Sequence, residues 1–384
     1  MAQLDISAAA SRVSPVERSV LRRVDPVLAG AGVLLSVVGL AMIYSATNKT
    51  LSTLGHDPGF YLKRQAVYLV VAVAAMSVAA LADYRLVKVY APLIYVGCVG
   101  LLVLVQTPLG TAAKGAQRSF QVAGFQLSPS LFTRLGLIVM LAAYLSEIKG
   151  EIDLRHVVRA TVLAAIPMAL VFVQPDMGST IILAAIMVAL LVVSGARARY
   201  LAVLALAAAI GIFGAFQLHI VKDYQIQRLT SFIDPGGDPL RADYNKQQAE
   251  IAIGSGGLLG KGYLHGTQTN LDYVPEQHTD FIFTVVGEEL GFFRGTLPLL
   301  LLFGVVLWRI FRAALLSRDP FGTFVAVGVF AMIAIQVFVN VGMTIGIMPI
   351  TGIPLPFISY GGSALIADFI GIGLLLNVHM RRFL

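Results

Sequence analysis

The chain has 384 residues, of which 57% are hydrophobic and only 13% charged. Soluble domains carry about 25% charged residues, so 28 Lys and Arg with 21 Asp and Glu cannot cover a water-facing globule of this length. A soluble globule is excluded, and a chain whose solvent is a lipid bilayer is implied. The net charge of +7 comes in small basic groups beside apolar runs, the pattern of membrane orientation and not of a nucleic-acid surface. Cys98, the single cysteine, leaves no intramolecular disulfide framework and no cysteine metal site.

Residues 1–25 are polar, with Arg12, Arg18, Arg22 and Arg23, and read as a cytoplasmic N-terminal segment. The apolar run that follows has no persuasive cleavage site and reads as an anchor. Residues 26–384 read as a single all-α, polytopic transmembrane domain. At roughly 17–25 apolar residues per crossing, ten helices are predicted. They lie near Val27–Ala46, Ala66–Ala82, Val89–Thr107, Leu131–Leu145, Val157–Val173, Met177–Val193, Leu201–Gln217, Gly295–Ile310, Phe321–Val341 and Ser363–Val378. A cytoplasmic N-terminus puts Arg85/Lys88, Lys149/Arg155/Arg159, Arg197/Arg199, Arg309/Arg312/Arg318 and Arg381/Arg382 together on the inner side, and both termini are then inside. Lys63 and Arg64 run against this bias. The outer side holds the long segments Asn48–Arg64, Pro108–Ser130, residues 218–294 between the seventh and eighth spans, and Gly346–Gly362. Long loops in a compact protein are usually functional, so the working face is expected outside.

The first of the informative strings is Lys114-Gly-Ala-Gln-Arg-Ser-Phe120, followed by Ser128-Pro-Ser-Leu-Phe-Thr-Arg134. Arg118 and Arg134 are candidate anion binders, because a guanidinium matches phosphate oxygens; the alternative for each is snorkelling at a span end. In Gln174-Pro-Asp-Met-Gly178, Pro and Gly make a turn, and Asp176 either caps the next helix or binds a cation or sugar hydroxyls. Further on, Asp280 stands close to Glu276 and His278 and has two compatible readings. One is a helix cap, shared with Thr279; the other is a general base for a hydroxyl at the water edge of a membrane site. Glu288 and Glu289 interrupt an apolar run, making Phe281–Phe292 an interfacial or cavity-lining helix whose acids pair with Arg294 or Lys261. The stretch Pro349–Ser363 holds too much Pro and Gly for a helix and is expected to line a cavity. Asp368, inside the last span, must face a partner. No Walker loop, dinucleotide fingerprint, metal-ligand set or nucleophile elbow occurs, so no nucleotide or redox cofactor is expected.

Lys114-Gly-Ala-Gln-Arg118, Gln174-Pro-Asp-Met-Gly178, Pro275-Glu-Gln-His-Thr-Asp-Phe-Ile-Phe283, Gly287-Glu-Glu-Leu-Gly291 and Pro354-Leu-Pro-Phe-Ile-Ser-Tyr-Gly-Gly-Ser363, in this order and spacing, resemble the SEDS family (shape, elongation, division and sporulation) across nearly the whole chain. Its RodA-like members are the nearer on overall similarity. The resemblance implies a peptidoglycan glycosyltransferase that polymerises undecaprenyl-diphosphate-linked lipid II on the outer face of the bacterial cytoplasmic membrane, in cell-wall elongation and shape control. It also implies a class B penicillin-binding protein transpeptidase as partner, with other membrane proteins of the elongation machinery. The family's essential aspartate falls on Asp280, its loop arginine on Arg118, and its basic residue at the fourth span on Arg134, where lysine is usual. Lys114, Asp176, Glu276, His278, Ser359 and Ser363 complete the expected substrate-binding set. Leu131 stands where the family commonly has glutamate, and Ser119 where it commonly has tryptophan; Asp368 and Glu289 are the candidates to replace the missing acid.

On this reading Asp280 deprotonates the 4-hydroxyl of an acceptor sugar, which attacks the anomeric carbon of the donor with inversion. Arg118 and Arg134, with a divalent cation such as Mg or Mn as a candidate helper, stabilise the departing diphosphate. Two other classes stay open: a lipid II flippase or transporter, which broken spans and an intramembrane acid suit, and a noncatalytic scaffold for the transpeptidase.

Overall fold

The computed structural model describes residues 24–108, 110–113, 116–122, 125–217 and 242–381. Lys114, nearly all of the predicted cytoplasmic segment and the start of the predicted 218–294 loop lie outside the described residues. Along the chain run α1 (Pro26–Thr53), α2 (Phe60–Leu81), α3 (Tyr84–Val89), α4 (Ala91–Val105), strands β1 (Thr111–Ala113), β2 (Ala116–Val122) and β3 (Phe125–Leu127), α5 (Pro129–Ser146), α6 (Leu154–Val173), α7 (Met177–Val193) and α8 (Ala198–Gln217). Then follow α9 (Ala242–Gly256), α10 (Thr267–Asn270), α11 (Ile282–Gly291), α12 (Leu297–Leu316), α13 (Pro320–Thr344) and α14 (Gly362–Arg381).

Acidic caps start several of these helices. Asp25 accepts the Val27 and Leu28 amides at 3.1 and 3.2 Å, and Pro26 at the first helical position has no amide to satisfy. The same buried carboxylate accepts from Arg309 Nε at 2.8 Å, so one side chain both caps α1 and ties it to α12. Asp176 caps α7 and Asp319 caps α13 in the same way.

The packing is that of a protein in lipid. Large apolar side chains such as Val70, Val78, Leu93 and Leu206 face outward, while Gln65, Arg134, Glu288, Gln336, Asn340, Asp368 and Asn377 are buried. Polar groups in a bilayer must be satisfied inside the bundle, and here they are gathered there. Among the described residues, seven helical stretches are long and apolar enough to cross a membrane, and three shorter apolar helices, Ala91–Val105, Met177–Val193 and Ala198–Gly211, accompany them.

Two expectations need correction. The class is helical but not wholly so: β1, β2 and β3 form an antiparallel sheet in the segment read as a plain external loop. Thr111, Phe120, Val122 and Phe125 are strand formers, and pairing two short hairpins satisfies backbone that has no helix to join. Second, α11 is not a separate interfacial helix. It continues through a π-helical turn, Phe292–Thr296, into α12, making one 35-residue apolar stretch, Ile282–Leu316. The continuous helical stretch therefore begins at Ile282, inside the predicted 218–294 segment. Gly291 marks the junction: its φ is +72°, and an added Cβ would lie 2.2 Å from the Gly260 nitrogen. Only glycine lets the α9–α10 connection cross the helix this closely.

That connection is held by the two acids. Glu288 accepts from Lys261 Nζ at 2.8 Å, from the Gln268 and Thr269 amides at 2.8 and 2.9 Å, and from both threonine hydroxyls nearby. Glu289 accepts from Ser45 Oγ on α1 at 2.6 Å. Lys261 is thus the partner of Glu288, Arg294 is exposed, and Glu289 serves α1 instead of the cavity described below. Removing one side of a buried ion pair costs about 3–5 kcal/mol. Glu288→Ala is accordingly expected to lower the thermal midpoint of the purified chain and to open residues 261–270 to limited proteolysis; an unchanged midpoint would contradict this account of the loop.

Candidate active site

All four segments expected outside meet at one cavity of ≈ 360 Å³. Arg64 comes from the start of α2; Gln121, Gln126 and Ser128 from the sheet and its exit; Glu276, Thr279 and Asp280 from the turn before α11; Pro354, Tyr360 and Gly361 from the loop before α14, and Ser363 from that helix's first turn. Leu131, on α5, supplies an apolar wall.

The loop before α14 is not helical, yet five of its amides have named acceptors. Leu355 N–H donates to Ser359 Oγ at 2.8 Å, Ile358 and Ser359 donate to the Leu355 carbonyl, Tyr360 to the His278 carbonyl at 2.9 Å, and Gly361 to Gln65 Oε1 at 3.2 Å. The loop rests directly on α1, where a Cβ at Gly39 would meet the Ile358 carbonyl at 2.6 Å. Ser359 is spent on this framework: its hydroxyl donates to the Thr279 carbonyl at 2.6 Å. Ser363 Oγ donates to the Gln126 carbonyl at 2.8 Å and accepts the Ser128 amide, joining the loop to the sheet while still facing the cavity.

Asp280 does not cap the following helix. Phe281 occupies the cap position without a side-chain bond, because the chain enters α11 through a turn closed by Phe281 N–H to the Glu276 carbonyl. The half-buried Asp280 lines the cavity instead, its Oδ2 lying 3.3 Å from where a Gly352 Cβ would be. Gly352 has φ +73°, so a side chain there would be strained as well as crowded. Buried Asn340 donates 2.7 Å hydrogen bonds to both the Asp280 and Ile353 carbonyls, fixing the acid's backbone to the Pro-rich loop. Glu276, at φ +56°, accepts from Thr279 Oγ1 at 3.2 Å and shares the cavity. The His278 ring packs between Tyr61 and Tyr360 at 4.8 and 5.7 Å and supports the wall without lining it.

The cation at the cavity is Arg64. It donates to Tyr68 Oη at 3.2 Å and lies over the Phe60 ring at 5.5 Å; the Tyr68 ring in turn packs beside that of Tyr360 at 6.3 Å. Burial, with Tyr68 beside it, pushes the Tyr360 phenol up to about 12. Guanidinium and phenols thus make a donor-rich surface next to Asp280 and Glu276.

Arg118 and Arg134, the expected anion binders, hold protein instead. Arg118 donates from Nε to the Gln174 carbonyl at 2.8 Å and from its terminal nitrogen to the Pro175 carbonyl at 2.5 Å, pinning β2 to the turn before α7. Arg134 is buried; it donates to Ser179 Oγ at 2.8 Å and Gln336 Oε1 at 3.2 Å and faces Asp176 and Asp368. Asp176 bonds Ser179 through its amide and hydroxyl at 2.9 and 2.6 Å, so the helix-cap reading holds for it. Ser119 is buried, its hydroxyl accepting from Gln126 at 2.9 Å. Among the described residues no three His, Cys, Asp or Glu side chains converge on a metal position.

Arg64, Tyr68, Tyr360 and Asn340 were not singled out from sequence as site residues. Arg64 carried a signal, since it is a basic residue on the outer side in breach of the positive-inside pattern. Asn340, in an apolar span, carried a weaker one.

The FTSW_RODA_SPOVE family of cell cycle proteins matches residues 27–383. The chain belongs to this family. It is 38% identical over 364 residues to a probable peptidoglycan glycosyltransferase FtsW of Geobacter metallireducens, covering 94% of this chain and 96% of that one. It is 40% identical to stage V sporulation protein E of Bacillus subtilis (90% and 94% covered) and 38% identical to peptidoglycan glycosyltransferase MrdB of Escherichia coli (91% and 93%). Among solved structures, it is similar to a chain of a peptidoglycan synthase complex that coordinates polymerization and crosslinking (TM-score 0.77, 29% identity, 94% and 98% covered). It is also similar to the rod shape determining protein RodA of Thermus thermophilus (TM-score 0.69, 28% identity, 94% and 98% covered).

An unfolded tyrosine ionises near pH 10, whereas Tyr360 in the fold holds its proton to about 12. Its contribution to stability is therefore complete below about pH 10 and is lost as pH rises towards 12. In a tyrosinate absorbance titration, the difference between the unmodified chain and Tyr360→Phe is expected to be one transition at about 12. A difference centred near 10 would contradict the burial described here.

Proposed function

We propose that this family member is a peptidoglycan glycosyltransferase that polymerises undecaprenyl-diphosphate-linked lipid II into glycan strands during cell-wall elongation and shape control. Ten crossings, formed by one domain over residues 26–384 with both termini cytoplasmic, put the cavity on the extracytoplasmic face of the bacterial cytoplasmic membrane. A class B penicillin-binding protein transpeptidase crosslinks the strands it makes; similarity to a chain of a synthase complex supports such a partner. The observation that carries the proposal is the cavity itself, where carboxylates and a guanidinium meet at the end of a bundle of apolar helices.

In the proposed reaction Asp280 takes the proton of the acceptor sugar's 4-hydroxyl as that oxygen attacks the donor's anomeric carbon. Inversion forms a β-1,4 bond, and undecaprenyl diphosphate leaves with the bonding electrons. An anionic leaving group needs donors, not a general acid, and Arg64 with the Tyr68 and Tyr360 phenols supplies them. Glu276, Ser363 and Lys114 stay in the proposed substrate set, while Arg118, Arg134, Asp176, His278 and Ser359 brace the walls. A Mg²⁺ or Mn²⁺ ion would rest on Glu276 and Asp280 and take its other oxygens from diphosphate and water, neutralising charge on the diphosphate. The isoprenoid tail lies against the apolar outer helices, which explains why a sugar polymerase sits in a membrane.

Purified Asp280→Asn protein, given lipid II and its partner, is expected to polymerise at least ~10²-fold more slowly with its thermal midpoint retained. Polymer at the unmodified rate would refute the assignment. Arg64→Ala is expected to raise KM for lipid II and to lower kcat, whereas an effect on neither would remove Arg64 from the diphosphate seat.

A further inference from the structure

Tyr61, Arg64, Gln65 and Tyr68 stand on α2 at the spacing i, i+3, i+4 and i+7, which puts them on one face of that helix. This face meets the loop before α14. The Tyr61 ring contacts the Tyr360 ring edge-on at 4.9 Å, and the Tyr68 ring lies 6.3 Å from it. Tyr68 also fills the space beside Gly362, where an added Cβ would come within 2.6 Å of its ring. Arg64 and Tyr68 line the cavity; Gln65, only 2% exposed, lies behind it.

A buried side-chain amide costs stability unless its donor and acceptor are both met. Gln65 meets them in the loop. Its Nε2 donates to the Ser359 carbonyl at 3.1 Å, and its Oε1 accepts the Gly361 amide at 3.2 Å. Only one orientation of the side chain sets a donor on the carbonyl and an acceptor on the amide, so these partners fix it. The two groups belong to the peptide units on either side of Tyr360. The first of those units is held at both poles, since its Tyr360 N–H goes to the His278 carbonyl at 2.9 Å. Gln65 also follows Arg64 directly in the chain, so the turn of α2 that carries the guanidinium at the cavity grips the backbone of the phenol beside it.

We infer that Gln65 is a positioning residue of the transferase: its side-chain amide clasps the two peptide units that flank Tyr360 onto α2 and so sets the phenol beside Arg64 and Tyr68 at the cavity. Its effect on turnover rests on the activity proposed above; its effect on the loop does not.

Hydrogen exchange followed by mass spectrometry on the purified full chain, together with lipid II polymerisation in the presence of the partner, tests it. Gln65→Met keeps the length of the side chain and removes both hydrogen bonds. The peptide over residues 358–363 is then expected to exchange at least ~10-fold faster, with peptides of α13 unchanged. kcat should fall at least ~10-fold with KM within about threefold, because Arg64 is still present to bind while the phenol is misplaced. In a Tyr360→Phe background the same substitution should lower kcat by less than about threefold further, since the group it positions is already gone. Native-like exchange in Gln65→Met overturns the inference, as does faster exchange with kcat unchanged, or a full ~10-fold fall repeated in the Tyr360→Phe background. Should Gln65→Met fail to fold, Gln65→Asn, whose amide is one methylene too short to reach both groups, carries the same measurements and the same expected changes. Faster exchange in a chain that makes no polymer even when unmodified supports the clasp and counts against the transferase reading alone.

Discussion

Backbone that is not helical has no water to bond to inside a bundle of apolar helices, so each of its amides needs an acceptor from the protein. Leu355 and residues 358–361 meet that demand one group at a time, with acceptors from α2, the turn before α11 and the loop itself. The demand explains why so many polar side chains sit in the interior. Gln65, Asn340 and Ser359 hold backbone in place. The cavity is what remains between parts so fastened.

This changes what the buried charges mean. A basic residue in a membrane segment invites a ligand reading, and Arg134 received one. Its guanidinium nevertheless bonds Ser179 and Gln336 through its two terminal nitrogens, with two acids nearby, and is closed off from solvent. Leu131, three residues earlier on the same helix, keeps the cavity side of α5 apolar, so the acids that balance Arg134 come from α14 and from the start of α7.

Much of the architecture was legible in the residues. Hydrophobic runs locate the apolar helices because each must be long enough for the bilayer, and the Met177–Val193 helix has the predicted limits. The four long segments expected outside do converge, and Asp280 is among the residues where they meet. What sequence could not convey was direction. Arg118 and Arg64 are each arginines in expected external segments, yet one donates to carbonyls and the other lines the cavity. The choice depends on which neighbouring carbonyls lack donors, a property of packing and not of local pattern. The sheet was missed for a related reason: short strands pair only because the chain on either side of them is already anchored by α4 and α5. The join of α11 to α12 was hidden by two glutamates that look like a break in a span but are buried among the amides of the α9–α10 connection.

The division of labour among arginines has a chemical consequence. A transferase whose product is a diphosphate must stabilise charge as it develops and then release it, so a binding surface with every donor rigidly committed would serve the second step poorly. Arg64 is the guanidinium at the cavity: it is half-buried, bonded to Tyr68, set over an aromatic face and beside a phenol that stays protonated. Arg134, by contrast, is buried against Ser179 and Gln336 behind the wall. A site that separates the charge facing the cavity from the charge that shapes the wall can vary the second without moving the first.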